Sequence, residues 1–166
     1  MTVLAGEHVL LRPVRPADGG PLRAILEEPG VARWWGTAID DRWPLADDET
    51  TRRWAIEHEG AIVGLIQDWA EQDPDFRHAA IDLFLAARVR GRGFGPDAIR
   101  ALVRHCAAEG HHRITIDPQA ANAAAIRAYE KVGFRPVGIM RRHARDPQTG
   151  AWVDSLLMDL LVDELR

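Results

Sequence analysis

The chain has 166 residues, 46% of them hydrophobic and 28% charged, with one cysteine and a formal net charge of -4. That length suits one domain with a core of its own, and a lone Cys106 excludes an internal disulfide and a cysteine-rich metal site. The acidic balance argues against nucleic-acid binding, and no apolar run approaches the ~18 residues of a membrane helix, so a cytoplasmic protein working on small molecules is expected.

Residues 8–16, HVLLRPVRP, alternate apolar and polar positions as a strand does and stop at two prolines. DGGPLRAILEEPG, residues 18–30, sets Leu22, Ile25 and Leu26 at helical spacing and closes on a Pro-Gly terminator. Residues 31–43 read as a loop carrying tryptophans, and 45–54 as a short helix with an acidic start. Strands follow at 54–58 and 61–69, joined by a tight turn at Glu59-Gly60. After the acidic loop EQDPDF (71–76), HAAIDLFLAA (78–87) reads as a strand. Residues 96–110 form a helix with Ile99, Leu102, Val103 and Cys106 in one apolar stripe. Residues 111–118 are a strand, 122–134 a helix ending at Gly133, and 136–144 and 151–162 the last two strands. Without repeats or linkers, this order predicts one mixed α/β domain over residues 1–166.

The most informative stretch is VRGRGFGPDA, residues 89–98, between a strand and a helix. Glycines there expose backbone amides at a helix N-terminus, where unpaired N–H groups and the helix dipole favour phosphate. Arg90 and Arg92 add positive charge, and Pro96 fits a first helical turn. The stretch lacks the Gly-Lys-Ser/Thr ending of a P-loop, and Gly91, Gly93 and Gly95 miss the third offset of a dinucleotide fingerprint. A tight turn that binds nothing is the other reading.

Arg90-Gly91-Arg92-Gly93-Phe94-Gly95 resembles the Arg/Gln-x-x-Gly-x-Gly/Ala pyrophosphate loop of the GCN5-related N-acetyltransferases. Downstream, DPQAANAAAIRAYEKVGFRPVG resembles that family's second signature, Asn-x-x-Ala-x-x-x-Tyr-x-x-x-Gly-Phe, at Asn122, Ala125, Tyr129, Gly133 and Phe134. Within the family, PGVARWWG, AAIDLFLA and IDPQAANAAAIRAYEKVGF are similar to segments of bacterial aminoglycoside 6'-N-acetyltransferases. Those enzymes carry a longer acidic, aromatic-bearing insertion where this chain has only AEQDPDFRH. Siderophore-type N-acyltransferases share the tryptophan pair. The resemblance implies a mixed, mostly antiparallel sheet splayed around acetyl-CoA and flanked by helices. It also implies a small cationic amine acceptor and direct transfer in a ternary complex. The last strands offer edges for pairing between subunits, so a monomer or a homodimer is expected. A siderophore or lysine-type acyltransferase and a non-catalytic acyl-CoA sensor are the alternatives.

The resemblance also assigns roles. The amides of Gly91, Arg92, Gly93, Phe94 and Gly95, with Arg90, would hold the coenzyme pyrophosphate. The backbone at Leu85 would pair with pantetheine. Tyr129, the only tyrosine, would protonate the leaving thiolate; the other reading is an aromatic packed into the core. Asn122 would cap its helix and bond the coenzyme, or cap alone. Asp82, a carboxylate inside an apolar strand, would bind and deprotonate the amine, or else pair with a neighbouring arginine. Asp117 would add a second acceptor carboxylate or serve as a cap. Trp34 and Trp35 would wall the acceptor cleft or join the core. Glu71, Asp73 and Asp75, and with them Asp146 and Asp154, are candidates for an acidic rim, solvated charge being the commoner use. Cys106, on an apolar stripe, reads as core, and His111-His112 lack further ligands at metal spacing, so no metal is expected.

Overall fold

A computed structural model describes residues 2–36, 43–45 and 50–166. Its strands are β1 (Leu4–Ala5), β2 (Leu10–Pro13), β3 (Thr51–His58), β4 (Ala61–Ala70), β5 (Ala79–Leu85), β6 (Arg113–Ile116), β7 (Arg135–Arg145) and β8 (Trp152–Leu161). The main helices are α1 (Gly19–Leu26), α2 (Pro29–Trp35), α3 (Phe94–Ala108) and α4 (Ala123–Val132). All eight strands form one sheet in the order β1-β2-β3-β4-β5-β6-β8-β7. Only β5 and β6 run parallel.

Local chemistry accounts for the main turns. Glu59 and Gly60 both take positive φ, 50° and 78°, so a two-residue turn sets His58 opposite Ala61. The predicted stripe of α3 is the buried one: Ile99, Leu102, Val103 and Cys106 are all sealed in the core with β2, β4 and β5. Burial pushes the Cys106 thiol up to about 12, which makes it an inert packing residue.

The feature that positions the site is a failure of pairing. β5 and β6 are in register only at Ala79 opposite Ile114 and Ala80 opposite Thr115. Beyond that point β5 continues to Leu85 along β4, while β6 ends at Ile116. The sheet splays there, and the unpaired flank of β5 faces an open cleft.

Several expected boundaries move. Pro29 and Gly30 open α2 instead of ending α1, because proline suits a first helical turn as well as it stops a preceding helix. Trp34 and Trp35 therefore lie on a helix, where a loop was expected over 31–43; residues 37–42 fall outside the described residues. Of the expected helix at 45–54, residues 46–49 are likewise outside them, and Thr51 onward is strand β3. α3 starts at Phe94, inside the glycine stretch, and the strand expected at 111–118 shrinks to Arg113–Ile116.

Candidate active site

The cleft at the splay has a volume of about 740 Å³. It is lined by β5 from Asp82 to Leu85, by the glycine loop and first turn of α3, and by α4. α2, residues 117–119 after β6, residues 143–145 of β7 and Ser155 of β8 complete it.

Gly91 and Gly93 have φ of 73° and 83°, and nothing lies within 4 Å of where their side chains would start. Backbone conformation, more than room, selects glycine at both. Gly93 caps α3, so the first amides of that helix open toward the cleft without intrahelical partners. Arg90 folds back, donating Nε and Nη2 to the Leu85 carbonyl at 3.1 and 3.0 Å. Arg92 stacks over Phe94 at 4.9 Å and lines a smaller hollow with His58 and Arg88, outside the cleft.

Asp82 projects from the middle of β5, opposite Gln67 of β4, into the cleft. Water reaches the side chain through the cleft mouth, yet dense protein surrounds it. That desolvation raises its pKa to about 7; the Leu83 N–H, 2.9 Å from Oδ1, opposes the shift, and the charge of Asp117 adds to it. Among the described residues no arginine pairs with Asp82. Tyr129 is buried on α4, its ring 6.1 Å from Phe134, and borders the same cleft. Desolvation first, then the charges of Asp82 and Asp117, push its phenol well above the usual value, so it holds its proton at any working pH. Asn122 caps its helix, Oδ1 accepting the Ala125 N–H at 3.3 Å, and the residue lines the cleft.

Trp35 meets Phe84 edge-on at 4.9 Å and packs against the core, so it is at once wall and core; Trp34 lies beside it under the Arg33 guanidinium. Asp117 lies at the cleft with its Oδ2 2.9 Å from Nε2 of His143. The remaining acids are elsewhere. Asp154 does not line the cleft; its Oδ1 accepts the Arg142 N–H at 2.8 Å. Asp146 closes the β7–β8 hairpin by accepting from Gln148 and Thr149. Glu71 and Asp73 bond backbone amides of their own loop, which Arg77 ties to the Glu109 carbonyl just past the end of α3, far from the helix start that borders the cleft. His143, brought in by strand geometry, and Ser155, whose buried Oγ has no hydrogen-bond partner among the described residues, also line the cleft and carry no sequence signal.

The family model described as an acetyltransferase (GNAT) domain matches residues 8–135. The chain is a GNAT acetyltransferase. Aminoglycoside N(6')-acetyltransferase type 1 of Klebsiella pneumoniae is 29% identical over 156 residues, covering 81% of this chain and 77% of that one. L-methionine sulfoximine/L-methionine sulfone acetyltransferase of Pseudomonas aeruginosa is 31% identical over 77 residues, 46% of this chain and 44% of that one. Among solved structures, Mycobacterium smegmatis RimJ in complex with CoA-disulfide matches with a TM-score of 0.83 at 28% identity, covering 98% of this chain and 85% of that one. The aminoglycoside acetyltransferase AAC(6')-Ib in complex with coenzyme A matches with a TM-score of 0.75 at 25% identity, over 92% of this chain and 94% of that one. GNAT enzymes use acetyl-CoA, and the glycine loop at the helix start, with a cleft of this size behind it, fits that donor. The GNAT fold, a mostly antiparallel sheet splayed at one parallel pair, is the one the sequence signatures imply. Among the described residues no cluster of three or more His, Cys, Asp or Glu is placed to hold a metal, and no helix is long and apolar enough to cross a membrane.

Proposed function

We propose that this GNAT enzyme moves the acetyl group of acetyl-CoA to the 6'-amine of an aminoglycoside, directly, with both substrates bound. The observation that carries the reading is that Tyr129 and Asp82 border one cleft, where the charge of Asp82 helps the phenol keep its proton. An amine attacks only when neutral, and a carboxylate with a pKa of about 7 accepts its proton at neutral pH. The thiolate leaves as coenzyme A once protonated, and the phenol of Tyr129 supplies that proton. The amides at the start of α3, with Arg90 behind them, orient the donor. For the acceptor, the support is the match to aminoglycoside N(6')-acetyltransferase over 81% of the chain, together with two cleft carboxylates and the Trp34–Trp35 wall.

The test is thiol release from acetyl-CoA against kanamycin, tobramycin, their 6'-hydroxy relatives and lysine-type amines. Turnover confined to acceptors with a 6'-amine supports the assignment. Turnover of the lysine-type amines alone replaces it with a siderophore-type acceptor and leaves the donor chemistry standing.

A further inference from the structure

His143 and Asp117 meet on the β6–β8 side of the cleft, Nε2 to Oδ2 at 2.9 Å, with both side chains about half exposed. A dedicated piece of backbone brings them together. Met140 pairs with Ser155 and Ala144 with Val153, so residues 141–143 of β7 face Asp154 alone. Within this bulge Arg142 has φ of +50°, which a residue with a side chain adopts only where something holds it.

Asp154 does the holding. Its Oδ1 accepts the Arg142 N–H at 2.8 Å. Its own carbonyl accepts the Ala120 N–H at 2.9 Å, and the next peptide, Leu156 N–H, donates to the Pro118 carbonyl at 2.9 Å. One position of β8 therefore fixes both the bulge that carries His143 and the segment that follows Asp117. Bulges recur beside functional sites because they re-aim a side chain.

We propose that His143 is a specificity-determining residue, whose ring on Asp117 decides whether that carboxylate is available to a second ammonium group of a polycationic acceptor. The inference rests on the amine-acceptor reading above. A neutral ring shares a hydrogen bond with Asp117 and leaves its negative charge in place. An imidazolium cancels that charge and repels an incoming cation. The other titratable or charged groups lining the cleft are Asp82 on β5, Arg90 in the glycine loop, Arg127, Tyr129 and Lys131 on α4 and Arg145 on β7; Arg141 and Arg142 precede His143 in the bulge, and Asp154 lies opposite on β8. Arg145 is turned to the hairpin, donating to the Gly150 carbonyl and lying 5.8 Å from the Trp152 ring, and Asp154 is occupied by Arg142. Among the described residues only Asp117 makes a hydrogen bond with the His143 ring.

The experiment compares kanamycin binding to the coenzyme A complex at pH 6 and pH 8 by calorimetry, for the wild type and for His143→Gln. Turnover is not required, and the ionisation of kanamycin is common to both proteins. The gain in affinity from pH 6 to pH 8 is expected to be about fivefold larger in the wild type, the size of a partly exposed ion pair. Asp154→Ala is expected to lose the same increment, because it releases the bulge. Equal gains in wild type and His143→Gln overturn the proposal and leave the acceptor assignment intact. If kanamycin binds at neither pH, the acceptor reading and this proposal fall together. A titration of the His143 ring by NMR in the wild type and in Asp117→Asn gives an acceptor-free check: an identical ring pKa in the two would also overturn it.

Discussion

The guanidinium of Arg90 is bonded to the carbonyl of Leu85 through two nitrogens, which fastens the first residue of the glycine loop to the last residue of the splayed strand. Gly30 of α2 abuts the same guanidinium so closely that a side chain there would collide with Nη1. Strand, loop and helix around the donor end of the cleft are thus held by one side chain. Arg90→Ala is expected to raise the KM for acetyl-CoA about tenfold, the size of a charge-assisted hydrogen bond, with a smaller effect on kcat. Gly30→Ala should act in the same direction by displacing the guanidinium. Steady-state kinetics with acetyl-CoA as the varied substrate checks both.

Asp82→Asn separates catalysis from stability. Without the base, kcat is expected to fall by roughly 10²–10³, and the rise of kcat/KM with pH toward about 7 to disappear. Stability should move the other way. The folded state raises the Asp82 pKa from 3.8 to about 7, so its ionisation favours the unfolded chain. That penalty is absent below about pH 4, grows as pH rises, and is complete above about pH 7. The melting temperature of Asp82→Asn should therefore exceed the wild type's at pH 8 and match it near pH 4, as read by scanning calorimetry.

Tyr129→Phe keeps the buried ring and removes only the hydroxyl, which has no hydrogen-bond partner in the protein among the described residues. Coenzyme A binding should persist and the melting temperature change little. Turnover should fall about 10²-fold, in the range for loss of a general acid. Calorimetry for binding and thiol release for turnover distinguish this from the core-packing role, which predicts little loss of rate.

Asp97, on the first turn of α3, accepts three backbone amides from the N-terminal segment: Glu7 at 2.8 Å, His8 at 2.7 Å and Val9 at 3.1 Å. It is buried, and Gly6 packs directly on its carboxylate. Asp97→Ala strands those amides and is expected to destabilise the protein by about 3 kcal/mol, measurable by urea unfolding.

The parts of the site legible in sequence are those written in backbone conformation and local motif. The glycine loop, the Asn122 cap, Tyr129 on α4 and Asp82 inside an apolar strand each depend on a few contiguous residues. The acidic residues were harder, because an aspartate looks the same whether it faces solvent, a peptide amide or a cleft. Asp154 reads as a possible acceptor ligand and is instead a backbone clamp; Glu71 and Asp73 read as a rim and instead shape their own loop. His143 has no local signature at all. It reaches the cleft through a change of register between β7 and β8, a non-local property that no window of residues contains. The α2 helix was obscured by Pro29, whose ring is as compatible with ending one helix as with starting another.

The pairing of β5 with β6 at two positions also gives the molecule a mechanical character. Ala79 and Ala80 act as the fulcrum of a pair of tweezers, one arm carrying Asp82 and the other Asp117. Because Ala79 is fully buried at that pivot, adding bulk there would be multiplied along the arms. The separation of the two carboxylates is set at a pivot outside the cleft lining.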